Sequence, residues 1–221
     1  MIREPRFRPL AVIFDMDGLM IDSERLYIES ERYMASLRGK ELPDSVISKM
    51  MGHKPVESMG IFKADLGLSE PAEELLAERD VLMREKLKHD LVPMPGLFDL
   101  LYYLDGRQPL AIATGAPGPF LDLTLDGLKI RDRFGVLVCA DDVKRGKPDP
   151  EIYLLAAERL GTPAASCLVL EDSSNGIRAA ASAGCITIAV PSLYTKDQDF
   201  SLADTVCESL HDVRVLLEQA S

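Results

Sequence analysis

The chain has 221 residues, of which 47% are hydrophobic, and its formal net charge at pH 7 is −11. This length suits one large domain, or one domain that carries a smaller one. The acidic excess argues against non-specific nucleic-acid binding and against binding to anionic membrane surfaces, because both need basic patches. If the protein binds an anionic substrate, the positive charge that holds it must be local.

Short apolar runs recur along the chain and are typical of strands buried in a parallel sheet, because both faces of each run are apolar. They cover residues 10–14, 110–113, 136–140, 167–170, 186–190 and, weakly, 205–207. Helical patterns separate most of these runs. The alternation predicts right-handed crossovers and an α/β fold with a doubly wound parallel sheet.

The first predicted strand is followed by about seventy residues without another strand pattern. We predict that residues 22–92 form an all-helical cap domain inserted into a core made of residues 1–21 and 93–221. In its first helix the pattern places Leu26, Ser30, Tyr33 and Leu37 on one face and ends at Gly39. Its last helix is predicted to begin at Pro71.

Two later helices of the core have recognisable ends. In "KPDPEIY", Asp149 is predicted to cap a helix whose first residue is Pro150. The alanine-rich stretch "NGIRAAASAG" is predicted to be a helix that ends at Gly184.

Polar residues follow four of the predicted strands, at the edge where open α/β sheets bind ligands. Asp15 and Asp17 follow the first strand, and Glu171 and Asp172 end a later one. The other two strand ends are followed by Thr114 with Gly115 and by Lys147.

These residues form one coherent chemical set. A divalent cation would turn the repulsion between the carboxylates into attraction, and Mg²⁺ prefers oxygen ligands. Lys147, Thr114 and the backbone beside Gly115 would then hold a phosphoryl group. Asp15 is predicted as the nucleophile and Asp17 as the general acid and base.

Several of these residues also allow a simpler interpretation. The aspartate pair fits no EF-hand loop, because the twelfth position is Leu26 rather than glutamate. Lys147 could be a surface lysine, and Thr114 could bond its own backbone. Asn175 could simply begin a helix, although that helix N-terminus could also face the phosphate.

The motifs "FDMDG", "ATG", "GKPDP" and "LEDSSNG" resemble, in order, those of the haloacid dehalogenase-like phosphohydrolases. The cap inserted after the first motif resembles that of the phosphoglucomutase-like branch. The resemblance implies that Asp15, the Asp17 backbone carbonyl and Asp172 bind Mg²⁺, and that Thr114 and Lys147 hold phosphate. It places Glu171 beside the metal ligands, although some relatives use this residue as a ligand itself.

Within that superfamily the residues favour a phosphatase. True dehalogenases lack the second aspartate of the first motif, which is Asp17 here. The β-phosphoglucomutases carry a cap histidine where this chain has Tyr27, and cationic residues where it has Met51 and Pro55. The segments "FDMDGLMIDSERLY" and "GKPDPEIY" look most like pseudouridine-5′-phosphatases and sugar phosphatases. A phosphomutase is the alternative, and a binding module without catalysis is a third hypothesis.

Three cap residues are candidates for substrate contacts, although each is also compatible with packing or a solvated loop: Tyr27, His53 and Lys54. The expected partner is a small phosphorylated metabolite, with no nucleic acid or membrane, and the expected state is a monomer. Four separated cysteines predict free thiols in a reducing cytoplasm: Cys139, Cys167, Cys185 and Cys207. The first apolar run is too short for a secretory signal or a membrane span.

Overall fold

The computed structural model describes residues 8–220. The described chain divides into two compact units. The core unit contains the described residues up to Asp22 and those from Val92 onward, and the helical unit is Ser23–Leu91.

The core unit is built on a six-stranded sheet in which every neighbouring pair of strands is parallel. The strands are β1 (Ala11–Phe14), β2 (Leu110–Ala113), β3 (Val136–Val138), β4 (Cys167–Glu171), β5 (Ile186–Ala189) and β6 (Thr205–Val206). Their order across the sheet is β3-β2-β1-β4-β5-β6. The predicted α/β fold with a parallel sheet is therefore confirmed, and β1 lies between β2 and β4.

Nine α-helices are found within residues 8–220. They are α1 (Ser23–Leu37), α2 (Asp44–Met50), α3 (Pro55–Leu66), α4 (Ala72–His89), α5 (Leu97–Leu104), α6 (Gly118–Leu128), α7 (Glu151–Arg159), α8 (Ser174–Ser182) and α9 (Leu210–Gln219). The first four form the helical unit, and the other five belong to the core unit.

The four residues of β1 are completely buried, as expected for a central strand covered on both faces. On one face, Ile13 packs in a cluster with Tyr153 of α7 and Ala179 of α8. Side chains alternate along a strand, so Phe14 points to the other face. There its ring meets Phe134 edge-on, with ring centroids 5.7 Å apart. This packing holds the carboxyl end of β1 in a fixed position.

The buried face of α1 differs from the predicted one. Leu26 and Ser30 are buried as expected, but the stripe continues through Met34. Tyr33 and Leu37 are 51% and 60% exposed. The prediction was wrong for these two residues because it extended the stripe by helical spacing through Tyr33 and Leu37 and passed over Met34. The burial follows the side of α1 that packs on α4.

Two predicted helix ends of the core unit can be compared with the structure. Pro150 is the cap of α7 rather than its first residue, and Asp149 accepts a hydrogen bond from the Glu151 N–H at 3.0 Å. The assigned start of α7 therefore lies one residue after the predicted one, while the Pro150 carbonyl already accepts a helical hydrogen bond from the Leu154 N–H at 3.0 Å. Gly184, two residues after α8, has a φ of +78°, which suits its predicted place at the helix end.

The four cysteines are all buried free thiols, as predicted. Burial raises the pKa of the Cys185 thiol to about 12. A search of residues 8–220 found no helix with both the length and the apolar character needed to cross a membrane.

Candidate active site

Polar residues from three adjacent strands meet at the carboxyl edge of the sheet. Asp15 follows β1, and its N–H donates to Leu170 O at 3.0 Å, so the backbone ladder with β4 continues to the aspartate. The buried Glu171 ends β4 and Asp172 follows it. Thr114 follows β2 on the other side of β1. The strand order thus places the predicted residues of three motifs at one edge.

Lys147 lies in the segment before α7 and reaches into this edge. Its Nζ lies 2.5 Å from Asp15 Oδ1, 2.6 Å from Glu171 Oε1 and 3.1 Å from Ala113 O. These three acceptors match the three N–H donors of an ammonium group. The Lys147 side chain is 12% exposed, so both ion pairs are shielded from water. Asp15, Lys147, Glu171 and Asp172 are called the strand-edge cluster below.

Glu171 is completely buried and receives hydrogen bonds on both carboxylate oxygens. Lys147 and the Tyr153 hydroxyl each donate to Oε1 at 2.6 Å. The Ser173 N–H and hydroxyl donate to Oε2 at 3.1 and 2.9 Å. A Cβ at Gly176 would lie only 1.8 Å from the Glu171 carboxyl carbon, so only glycine fits beside it. The Glu171 carboxylate is therefore held in one place.

The charges in the cluster affect one another strongly. Burial alone would lower the pKa of Lys147, but the negative charges of Asp15 and Glu171 raise it above its usual value. Burial also raises the pKa of Asp15, and Lys147 opposes this only in part. A divalent cation beside Asp15 would favour its ionised form, which is the form that a nucleophile requires.

Glu171 behaves differently from Asp15, although both are buried. Burial tends to raise the pKa of Glu171, but the hydrogen bonds and charge from Lys147, together with the Tyr153 hydroxyl, hold it below its usual value. The pKa of Tyr153 is raised well above its usual value by burial and by the Glu171 charge. Tyr153 therefore keeps its proton and acts as a donor to a carboxylate that stays ionised.

On the β2 side, Thr114 contacts the second aspartate of the first motif. Its hydroxyl donates to Asp17 Oδ2 at 3.3 Å and accepts from the Ala116 N–H at 3.0 Å. Thr114 is completely buried, whereas Gly115 is exposed. The structure thus brings together the predicted phosphate-binding hydroxyl and the predicted general acid.

Three acidic side chains at this edge could hold a metal ion. Ligand oxygens of Asp15, Glu171 and Asp172 lie within 4.8 Å of one another, and all three residues are buried. Carboxylate oxygens suit a hard divalent cation, so the donor set fits the predicted metal. The predicted set contained Asp17 in place of Glu171, through its backbone carbonyl. That part of the prediction stays a prediction.

Asp172 and Asn175 are the other two predicted site residues of the last motif. Asp172 accepts a hydrogen bond from the Thr195 hydroxyl at 3.4 Å, which helps to orient a carboxylate predicted to bind metal. Asn175 lies in the first turn of α8 and is half-buried. The helix is capped by Ser173, whose hydroxyl accepts from the Gly176 N–H at 3.2 Å.

The candidate substrate contacts lie in the helical unit. The Tyr27 ring lies 4.9 Å from the Arg79 guanidinium carbon. His53 and Lys54 are exposed residues just before α3. Both contact Glu57, whose Oε2 lies 3.6 Å from His53 Nδ1 and accepts from the Lys54 N–H at 3.4 Å. Their proposed contacts with substrate stay predictions.

Sequence reasoning missed three residues that surround the acidic groups: Tyr153, Ser173 and Thr195. Tyr153 belongs to the apolar face of α7, where an aromatic residue is read as packing. Ser173 lies inside the "LEDSSNG" motif and could have been identified as the helix cap. Thr195 comes from a loop with no recognisable pattern.

The chain is similar to known proteins over most of its length. The profile of the haloacid dehalogenase-like hydrolase family matches residues 12–190. A phosphorylated carbohydrates phosphatase from Thermotoga maritima is 35% identical, over 94% of this chain and 90% of that protein. A Drosophila melanogaster protein named "Probable pseudouridine-5'-phosphatase" is 34% identical, over 91% of this chain and 90% of that protein.

The fold is also similar to solved structures. CbbY from Rhodobacter sphaeroides, crystallised in complex with phosphate, superposes with a TM-score of 0.81 over 93% of this chain and 96% of that one. The two sequences are 24% identical, so this likeness concerns the fold. The family profile covers most of the chain, and both named relatives cover more than nine-tenths of it. The chain therefore belongs to the haloacid dehalogenase-like hydrolase family.

Proposed function

We propose that the protein is a Mg²⁺-dependent phosphatase that hydrolyses a small phosphate monoester through an aspartyl-phosphate on Asp15. The family and the named relatives make the chain a phosphoric monoester hydrolase. The proposal concerns its nucleophile, its metal and its substrate. One observation carries it: the Lys147 ammonium bonds Asp15 and Glu171 at once, with Asp172 beside them in the same buried group.

The reaction has two steps. A carboxylate oxygen of Asp15 attacks phosphorus, the ester P–O bond breaks, and Asp17 gives a proton to the leaving alcohol. Water then attacks the phosphorus of the aspartyl-phosphate and gives a proton to Asp17. The bond between Asp15 and phosphorus breaks, and inorganic phosphate leaves.

The neighbouring residues stabilise the charge that is transferred. Lys147, the Thr114 hydroxyl and the backbone at Gly115 are proposed to bind the phosphoryl oxygens. Asp15, Asp172 and the Asp17 carbonyl would hold Mg²⁺, which supplies positive charge to the phosphoryl group when bound. Glu171 and Asn175 support this arrangement from beside it.

The substrate is proposed to be a sugar phosphate or a nucleotide such as pseudouridine 5′-phosphate. The names of the two relatives support this class. Tyr27, His53 and Lys54 are the proposed contacts to the part of the substrate that is not phosphate. A monomeric state and a cytoplasmic location, without nucleic-acid or membrane partners, stay predictions.

A phosphate-release assay tests the proposal. Purified protein is incubated with Mg²⁺ and a panel of sugar phosphates, pseudouridine 5′-monophosphate and phosphoglycolate. We expect hydrolysis of one or more of these esters, its loss on chelation, and its recovery when Mg²⁺ is returned. We expect Asp15→Asn to lower turnover roughly a thousandfold or more.

Asp105→Asn is the matched control, because Asp105 is an exposed aspartate of the core unit that pairs with Arg133. Its turnover should equal that of the wild type. Full turnover by Asp15→Asn would show that the nucleophile is wrong. A glucose 1-phosphate isomerisation assay with a bisphosphate activator runs in parallel. Isomerisation much faster than hydrolysis would replace the phosphatase with the phosphomutase alternative.

A further inference from the structure

Tyr153 is the last residue of the segment "GKPDPEIY", and its side chain contacts the strand-edge cluster. It is the third residue of α7 and is completely buried. Its hydroxyl lies 2.6 Å from Glu171 Oε1, the same oxygen that accepts from Lys147. Its ring also lies close to the ammonium group, with the Lys147 Nζ 5.0 Å from the ring centroid. Tyr153 therefore contacts both members of one buried ion pair.

Glu171 cannot turn away from this contact. Its other oxygen is held by the Ser173 N–H and hydroxyl, and Gly176 leaves no space for displacement on that side. Charge-assisted hydrogen bonds of this length are the strong kind. The carboxylate therefore acts as a fixed anchor, and Tyr153 supplies one of its four donors.

This anchor determines where the Lys147 ammonium lies. Two of its three hydrogen bonds go to groups that are fixed, Glu171 Oε1 and the carbonyl at the end of β2. The third goes to Asp15. Asp15 is the proposed nucleophile. The third N–H can therefore shift its hydrogen bond from Asp15 to the phosphoryl group when the reaction begins.

We infer that Tyr153 is a positioning residue, which acts through Glu171 to hold the Lys147 ammonium against Asp15 and the transferring phosphoryl group. The inference rests on the proposed function, and it deepens the assignment of Lys147. In this inference Glu171 anchors Lys147 and does not act as a metal ligand. Tyr153 itself touches neither substrate nor metal in this role.

Tyr153→Phe tests the inference, because it removes one oxygen and keeps the ring over Lys147. We expect kcat to fall roughly tenfold, which is typical when a hydrogen-bond partner that orients a functional side chain is removed. The dissociation constant of inorganic phosphate, measured by calorimetry with Mg²⁺ present, should rise several-fold. The Mg²⁺ concentration that gives half-maximal activity should stay within about twofold of the wild-type value.

Other results would overturn the inference. If the half-activating Mg²⁺ concentration rises tenfold while kcat at saturating Mg²⁺ is unchanged, the hydroxyl serves the metal site. If phosphate affinity and kcat both equal the wild-type values, the hydroxyl positions nothing. Tyr102→Phe is the control, since Tyr102 is 79% exposed on α5, and its kinetics should match the wild type.

A double-mutant cycle separates action through Glu171 from a general effect on packing. In a Glu171→Gln background, the further change Tyr153→Phe should lower kcat less than twofold, because the charged acceptor is already gone. The same tenfold loss in both backgrounds would overturn the inference. Thermal melting confirms that each variant is folded. If Tyr153→Phe does not fold, Ser173→Ala removes a donor to Oε2 instead, and it should lower kcat without changing half-activation by Mg²⁺.

The proposed function is checked in the same experiment with Asp15→Asn. An active Asp15→Asn variant would refute the proposed nucleophile whatever Tyr153→Phe does. An inactive Asp15→Asn variant together with wild-type kinetics for Tyr153→Phe would refute the positioning role alone.

Discussion

Each unit of the protein contains a buried ion pair, and the two are built differently. In the helical unit, Glu31 on α1 and Arg79 on α4 are 4% and 7% exposed, and their nearest charged atoms are 3.7 Å apart. In the core unit, Lys147 lies 2.5 Å from Asp15 and 2.6 Å from Glu171. Burial is similar, but the number and length of the hydrogen bonds differ.

The pKa values reflect this difference. Burial raises the pKa of Glu31 to about 7, and Arg79 offsets this only in part. Within the described residues, the Arg79 Nε also lacks a hydrogen-bond partner. Glu171 is buried at least as deeply, yet its pKa is lowered, because Lys147 and Tyr153 reach it at 2.6 Å. A buried acid therefore stays charged only where enough donors surround it.

Among the changes that test this contrast between the two ion pairs, replacing the cation of the core unit should have the largest effect. Lys147→Met leaves two buried carboxylates without their shared partner and removes a donor to the phosphoryl group. We expect phosphate-ester turnover to fall by about a hundredfold or more, because one such donor is typically worth that much. Steady-state kinetics with saturating Mg²⁺ measure this. Lys144→Met, an exposed lysine of the same segment, is the control and should keep its turnover.

Gly176→Ala should disturb the same cluster less. The new methyl group would overlap the Glu171 carboxylate, so this carboxylate or the start of α8 must move. We expect turnover to fall about tenfold, and the free energy of unfolding to fall by about 1–3 kcal/mol. Gly60→Ala in α3 is the control, since nothing lies within 4 Å of its new Cβ. Wild-type turnover in Gly176→Ala would mean that the position of Glu171 is unimportant.

Glu31→Gln should change how stability depends on pH. The folded pKa of Glu31 is about 7, above the ordinary value of 4.5, so the folded state holds this proton more tightly. Wild-type stability should therefore fall between about pH 4.5 and 7 by up to about 3 kcal/mol from this residue, and the glutamine variant should lack this fall. Denaturant unfolding followed by circular dichroism at several pH values measures it.

Glu29→Gln, on the same helix, should change the pH dependence of stability in the opposite direction. The hydrogen bond from Lys86 lowers the pKa of Glu29, so its contribution is present above its ordinary pKa and is lost as the pH falls. A Glu31→Gln variant with the wild-type pH profile would show that Glu31 stays charged, and the contrast between the two ion pairs would then disappear.

The smallest effect is expected for an exposed charge of the helical unit. Lys54→Ala should raise KM up to about fivefold and leave kcat unchanged, because an exposed charge contributes at most about 1 kcal/mol. Lys40→Ala, another exposed lysine of this unit, should leave KM at the wild-type value. An unchanged KM in Lys54→Ala would remove this residue from the proposed substrate contacts.

The sequence predicted the edge of the sheet better than the contacts around it. Asp15, Thr114 and Glu171 each follow or end an apolar strand, and parallel strands bring such positions together whatever the intervening chain does. The buried face of α1 was harder to predict, because Tyr33 and Leu37 fit the helical period but are exposed.

The partners of Glu171 could not be found in the same way. Tyr153 lies on a helix, and whether its hydroxyl reaches a strand end depends on the exact height of α7 above the sheet. The position of α7 relative to the sheet cannot be predicted from the spacing of residues in the sequence. Periodicity thus locates the charged groups, whereas the donors that set their pKa values depend on packing between elements.

The position of β1 has a consequence for synthesis of the chain. It precedes the other five strands of the sheet in the chain, yet it becomes an inner strand of the finished sheet. Ala11 pairs with Cys167, so one side of β1 lacks its partner strand until the chain has been made past residue 167. Until then the edge of this apolar strand that faces β4 has no partner, and unpaired strand edges of this kind favour aggregation during folding.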